Sequence, residues 1–123
     1  MQNFNEKFKT DLFQRCKKFS LDVLRLIDQL PNKRSLNVVA NQLARSATSI
    51  GANMIEGRAA SSRLELKKFN EIALKSANET KYWLEILQEA NLAPPAVMNS
   101  IMKELSELSS MIASGILKLK SKL

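Results

Sequence analysis

This sequence predicts an all-α chain folded as an antiparallel up-down-up-down four-helix bundle. Three observations carry that expectation. Apolar residues recur at alternating spacings of four and three along four successive segments, and short stretches containing Pro, Asn, Gly or Ser separate them. No stretch shows the period-two alternation of a half-buried strand. With 123 residues, 45% of them hydrophobic, residues 1–123 form one domain able to bury a core without disulfides or metal.

In the first helix the stripe is Leu12, Cys16, Phe19, Val23, Leu26 and Leu30, and Pro31 stops it. Cys16, the single cysteine, falls on this stripe as a small buried hydrophobe. Asp11, Arg15, Lys18, Asp22 and Arg25 share another face, whose mixed signs suit an ion-paired exterior. Residues 32–35 make the turn, with Ser35 as N-cap of the second helix. That helix carries Leu36, Ala40, Leu43, Ala47, Ile50 and Met54, with Gly57 as its C-cap. The third opens on Ser62 and Glu65 at capping-box spacing. Its expected core stripe is Phe69, Ile72, Ser76, Glu79, Trp83, Ile86 and Ala90, with Ala73, Ala77, Thr80, Leu84 and Leu87 beside it. Residues 91–95 connect to a fourth helix that starts on a proline and buries Val97, Ile101, Leu105, Leu108, Ile112, Gly115 or Ile116, and Leu119.

Residues 35–55 hold one charged side chain, Arg45, where the chain average of 25% would place about five. Beside the apolar stripe runs a polar one, Gln42, Ser46, Ser49, Asn53 and Glu56, uncharged until its end. The opposite flank, Ala44, Thr48, Gly51 and Ile55, is mostly small. A glycine inside a helix costs roughly 1 kcal/mol relative to Ala, and close approach of another backbone is a usual reason to keep one. A helix packed on more than one face points to a subunit seam; the alternative, a helix central to its own domain, has no place in a four-helix bundle.

Composition narrows the function. The chain has no histidine and only three glycines, which removes Cys-His and Ser-His nucleophilic pairs, imidazole metal sites and glycine-rich phosphate loops. No enzyme, cofactor or metal site is expected. The one carboxylate pair worth weighing as metal ligands, Glu56 and Glu79, belongs to different bundle levels. No basic start with an apolar core behind it opens the chain, and no run is long enough to span a bilayer, so a cytoplasmic protein without membrane contact is expected. A net charge of +7 points to an acidic partner, nucleic acid first.

Bundle topology turns that charge into geometry. Residues 6–18, 56–68 and 118–123 meet at one end and together carry +8, leaving −1 for the rest. A functional reading makes Lys7, Lys9, Arg15, Lys17, Lys18, Arg58, Arg63, Lys67, Lys68, Lys118, Lys120 and Lys122 a phosphate-binding surface. A structural reading also exists, since Lys118, Lys120 and Lys122 complement a helix C-terminal dipole. Few aromatic residues interleave these cations, which favours contact with backbone shape over base stacking. A second constellation is polar: Arg45 lies about one turn from the level of Glu79 and is expected to pair with it as a register device.

The run 45–57, RSATSIGANMIEG, followed by a serine-containing turn, Phe69, residues 72–76, Glu79 and Leu84, resembles the bacterial four-helix-bundle family named for proteins encoded in intervening sequences of 23S ribosomal RNA genes. That family is related to the accessory variability determinant (Avd) of diversity-generating retroelements. The resemblance covers nearly the whole chain. It implies a homopentameric ring of bundles and nucleic-acid binding on basic surfaces, accompanying a reverse transcriptase in the retroelement branch; it implies no catalytic residue. Arg45, Ser49, Asn53, Glu56, Ser76 and Glu79 match its motif, and with Gln42 and Ser46 they are expected as assembly or buried polar positions. The turn after Gly57 is less basic than the family suggests. The expected function is a non-enzymatic oligomeric bundle that binds RNA or DNA through its basic end. The alternative is a protein-interaction scaffold for a polymerase, a reverse transcriptase or another acidic partner.

Overall fold

The computed structural model describes residues 4–123, with side chains from residue 11 onward. It contains four helices, α1 (Phe4–Asp28), α2 (Arg34–Arg58), α3 (Arg63–Glu89) and α4 (Pro95–Lys120). Each packs on its sequence neighbours and α1 closes on α4, while neither diagonal pair meets among the described residues. That is an antiparallel four-helix bundle. The α2–α3 seam is the most extensive and α1–α4 the slightest.

The core follows the expected stripes on three helices. Leu12, Cys16, Phe19, Val23 and Leu26 come from α1, and Leu36, Leu43, Ala47, Ile50 and Met54 from α2. From α4 come Met98, Ile101, Leu105, Leu108, Ile112 and Ile116, so that Met98 replaces the expected Val97, which is exposed.

On α3 the stripe is rotated by one position. Asn70, Ala73, Ser76, Ala77, Thr80, Leu84 and Leu87 are buried, whereas Ile72 is 45% exposed and Phe69, Trp83 and Ile86 are half-buried. Small side chains explain the rotation. Ala73, Ala77, Ser76 and Thr80 let neighbouring helices approach closely, and the bulkier stripe is displaced toward the outer edge of the α2–α3 seam.

The helix ends differ from expectation at two points. Lys33, in extended conformation, stands at the N-cap of α2, and its carbonyl accepts from Asn37 N–H at 2.8 Å, so Ser35 lies inside the first turn. Gly57 is likewise interior: α2 continues to Arg58 and ends on Ala59, which needs no left-handed conformation. Gly57 is a packing residue. A Cβ there would stand 3.1 Å from Phe69 Cβ and 3.2 Å from Leu66 Cδ1.

Other ends match. Ser62 Oγ accepts from Glu65 N–H at 3.1 Å, while the Glu65 carboxylate accepts from the Ser61 hydroxyl at 2.6 Å and its N–H at 3.3 Å, one residue earlier than a capping box would have it. Those Ser61 bonds, the hydroxyl first, hold Glu65 below the usual carboxylate range. Asn91 takes φ 55 after α3, and Leu92 N–H donates to Leu87 C=O at 3.1 Å, the closing bond of a Schellman motif. Pro95 fills the first position of α4.

Candidate nucleic-acid interface

Register fixes where the cations stand. Ser20 Oγ donates toward Ala47 C=O at 3.4 Å, and a Cβ on Gly51 would lie 3.3 Å from Cys16 Cβ. The close approach expected at Gly51 is therefore made by α1 of the same chain. This register sets Lys17 and Lys18 opposite Ile50 and Ser49, about 12 Å along the axis from Arg58 by the helical rise. They belong to the side wall, and the expected grouping of all the basic residues at one end is corrected at these two positions.

Several candidates are already engaged. Arg15 Nε donates to Glu104 Oε1 at 3.1 Å, and its Nη2 meets both Glu104 and Glu107, the latter at 3.3 Å. The Glu104 carboxylate raises the guanidinium pKa further, so Arg15 is a clamp between α1 and α4. Lys18 pairs with Asp22 at 2.7 Å and Lys67 with Glu71 at 2.9 Å, the Lys67 side chain being only 18% exposed. Lys17 forms no ion pair among the described residues. The side chains of Lys7 and Lys9 lie outside the described ones.

What remains at the end is a compact group. Arg58, Arg63, Lys68, Lys118, Lys120 and Lys122 are exposed, and none forms an ion pair among the described residues. Arg58, Arg63, Lys118 and Lys122 ring a cavity of ≈ 910 Å³ whose walls include Leu12, Phe13, Met54, Leu66, Met111 and Leu119. The Arg58 guanidinium lies over the Phe13 ring, 5.0 Å from its centroid. Asn70 also lines the cavity, is 7% exposed, and its Oδ1 has no hydrogen-bond partner among the described residues. Phe13 and Asn70 were not legible as site residues, because each sits beside its apolar stripe in an ordinary flanking position.

The polar stripe of α2 lies along α3. Ser46 and Thr80 hydroxyls stand 2.9 Å apart with both residues 0% exposed, and Ser76 Oγ donates to Ser49 Oγ at 2.9 Å. Asn53 Nδ2 donates to Ser49 C=O at 2.8 Å. Ser46 is thus covered by its own chain and has no surface to give a second copy. Arg45 meets Glu79 across the same seam, with Gln42 Oε1 accepting from Arg45 Nη2 at 3.0 Å. Val38 precedes Arg45 by seven residues, Ile72 precedes Glu79 by seven and Tyr82 follows it by three, and they are 60%, 45% and 58% exposed, whereas Ile55, 51% exposed, shares the flank of Gly51 toward α1. Glu56 is exposed and stands about 15 Å along the axis from the level of Glu79 by that register. Among the described residues no three His, Cys, Asp or Glu side chains gather as metal ligands, and no helix is long and apolar enough to cross a membrane.

A small basic four-helix bundle with a cationic end is the class these features define. Residues 9–114 match the model of the 23S rRNA-intervening sequence protein family, and the chain belongs to that family. A crystal structure of a protein of unknown function from the S23 ribosomal protein family of Bacteroides thetaiotaomicron is similar to it, with 34% identity, 85% of this chain and 97% of that chain covered, and a TM-score of 0.80. No curated protein matches the chain.

Proposed function

We propose that this protein is a non-enzymatic bundle that assembles with copies of itself, as a homopentamer, and binds structured RNA or DNA through its cationic end. The observation that carries the binding is the convergence of Arg58, Arg63, Lys118 and Lys122 without acidic partners among the described residues, while Arg15, Lys18 and Lys67 are paired. Exposed charges that no carboxylate neutralises attract a polyanion, and in a ring of aligned subunits the field adds. Val38, Ile72 and Tyr82, exposed beside the Arg45–Glu79 pair at helical spacing, support self-association, because large apolar side chains left in water gain by being covered.

Retention of a structured RNA, measured between roughly 50 and 200 mM salt, tests the binding: several phosphate contacts make affinity fall steeply over that range. Arg58→Glu with Lys118→Glu abolishes it, whereas Lys17→Glu with Lys18→Glu has the smaller effect. Absence of binding at the lowest salt would overturn this reading in favour of a scaffold for an acidic protein or a reverse transcriptase. Native mass measurement tests the assembly, and a monomer at micromolar concentration would refute it.

A further inference from the structure

α2 stands at a corner of the bundle, between the side it shares with α1 and the side it shares with α3, and both sides carry apolar side chains into water. On the α1 side Leu21 and Leu24 are 43% and 37% exposed, beside Ala44 and Thr48 of α2. On the α3 side Ile72 and Tyr82 flank the Arg45–Glu79 pair and are 45% and 58% exposed. Exposed apolar residues scattered singly need no explanation. These two sets match in level.

Contacts within the bundle fix the levels. Ser20 Oγ donates toward Ala47 C=O, and a Cβ on Gly51 would meet Cys16 Cβ, so Lys17 stands opposite Ile50 and Leu24 opposite Leu43. Hydroxyl contacts of 2.9 Å set Thr80 opposite Ser46 and Ser76 opposite Ser49. Tyr82 therefore also stands at the level of Leu43 or Ala44, the height of Leu24. By the helical rise, Ile72 and Glu79 lie about 5 Å to either side of the level of Lys17. The charges are complementary as well. Lys17 forms no ion pair among the described residues, while Glu79 gives Oε1 to Arg45 and its Oε2 takes no hydrogen bond among them.

We propose that the α1–α2 side of one copy docks on the α2–α3 side of the next, turned about an axis parallel to the helices, so that residues of equal height meet. Leu21 and Leu24 cover Tyr82 of the next copy. The Lys17 stem lies along its Ile72, and the ammonium donates to its Glu79 Oε2. The inference rests on the self-association proposed above and deepens it, naming the two different surfaces that a ring needs and a two-fold dimer does not. Adjacent sides of a four-helix bundle face directions about 90° apart. Each copy then turns by about that angle from the last, and the series closes after about four or five. α2, at the shared corner, is covered on both flanks, which accounts for its single charge between residues 35 and 55. α4, at the opposite corner, points outward and keeps Lys103, Glu107, Ser110 and Ser114 in water.

Cysteine linking tests the two faces. Leu24→Cys and Tyr82→Cys are made in separate chains, both sites being exposed, while Cys16 at 1% exposed stays out of reach of the reagent. The chains are refolded alone or together, treated with a short bismaleimide and read on a denaturing gel. The mixture gives linked pairs and neither variant alone gives any. A chain carrying both cysteines gives a ladder that stops at the number of copies in the native mass. Linking of Tyr82→Cys to itself marks a two-fold contact and overturns the proposal. Absence of linked pairs in a mixture that has the native mass of an oligomer also overturns it, and leaves self-association standing. A monomeric wild type overturns both. Leu24→Glu provides a second reading: helical content by circular dichroism is kept and the native mass falls to one chain, whereas Ser110→Glu on the outward corner leaves the oligomer whole. An intact oligomer in Leu24→Glu overturns the proposal.

Discussion

Arg45 on α2 and Glu79 on α3 pair across the seam of their helices, on an exposed facet and not within the core. Their side chains are 56% and 36% exposed, and an ion pair so placed contributes at most about 1 kcal/mol. Glu79→Gln should therefore change the stability of the monomer by less than about 1 kcal/mol. In an assembly that covers the facet the pair loses water, and breaking it costs more. Urea unfolding at low and high protein concentration separates the two: the deficit should grow with concentration.

Arg15 makes the corresponding link on the slightest seam, joining α1 to Glu104 and Glu107 of α4. Removing it with Arg15→Ala leaves two neighbouring acids on α4 and loses the packing of its stem over Met111, whose Sδ lies 3.5 Å from Nη1. A loss of about 1 kcal/mol is expected, as for a part-buried charged hydrogen bond. Hydrogen exchange should quicken in α1 and α4 before it does in α2 and α3.

Glycine substitutions should divide by sign. Gly57→Ala forces a Cβ to within 3.1 Å of Phe69 Cβ and 3.3 Å of Asn70 Oδ1, so α2 and α3 must separate and stability falls by about 1–3 kcal/mol. A Cβ in Gly115→Ala meets nothing within 4 Å among the described residues and should raise stability by up to about 1 kcal/mol through helix propensity. Chemical denaturation of the two variants checks both.

Cys16 gives a pH test. Burial pushes its thiol up from 9.0 to about 11, because the apolar core disfavours the thiolate. The folded state then holds a proton that the unfolded state releases, so this contribution is complete below pH 9 and is lost as pH rises toward 11. The slope is about 1.4 kcal/mol per pH unit in that window. Cys16→Ala is less stable at neutral pH through the cavity it leaves, yet should lose less stability than the wild type between pH 9 and 11.

The hydroxyl pair Ser46 and Thr80 should show strong coupling. Thr80 Oγ1 lies 2.7 Å from Ser76 C=O and Ser46 Oγ 3.3 Å from Leu43 C=O, so one proton crosses the seam while the other returns to its own helix. Ser46→Ala or Thr80→Val alone costs about 1 kcal/mol. The double variant costs less than the sum, since no buried group is then left waiting for its partner.

The bundle was legible because its signals are local. The stripes Leu12 to Leu26 and Leu36 to Met54, the Ser62 cap and the proline at the start of α4 each depend on spacing or backbone chemistry within a few residues. The Arg45–Glu79 contact was legible too, because antiparallel register follows from short loops. The core face of α3 was not. Two apolar stripes run along that helix, and composition favours the bulkier one, Ile72, Trp83 and Ile86, whereas close packing favours the smaller. Gly57 misled for a related reason: a glycine near a helix end suits a cap, and only the position of Phe69 shows that it serves packing. The cavity was hidden because its lining comes from all four helices, and the engagement of Arg15 and Lys67 depends on acids that the charge count had placed elsewhere or ignored.

The buried hydroxyls between α2 and α3 bear on alignment as much as on stability. Leucine against leucine tolerates a shift of one heptad with little penalty, but such a slip would carry Ser46 opposite Ala73 or Leu87 and break its bond with Thr80. The helix hairpin therefore carries its own ruler. Any surface drawn jointly by the two helices, including the facet around Arg45 and Glu79, is reproduced identically in every copy of the chain, as a closed ring of copies requires.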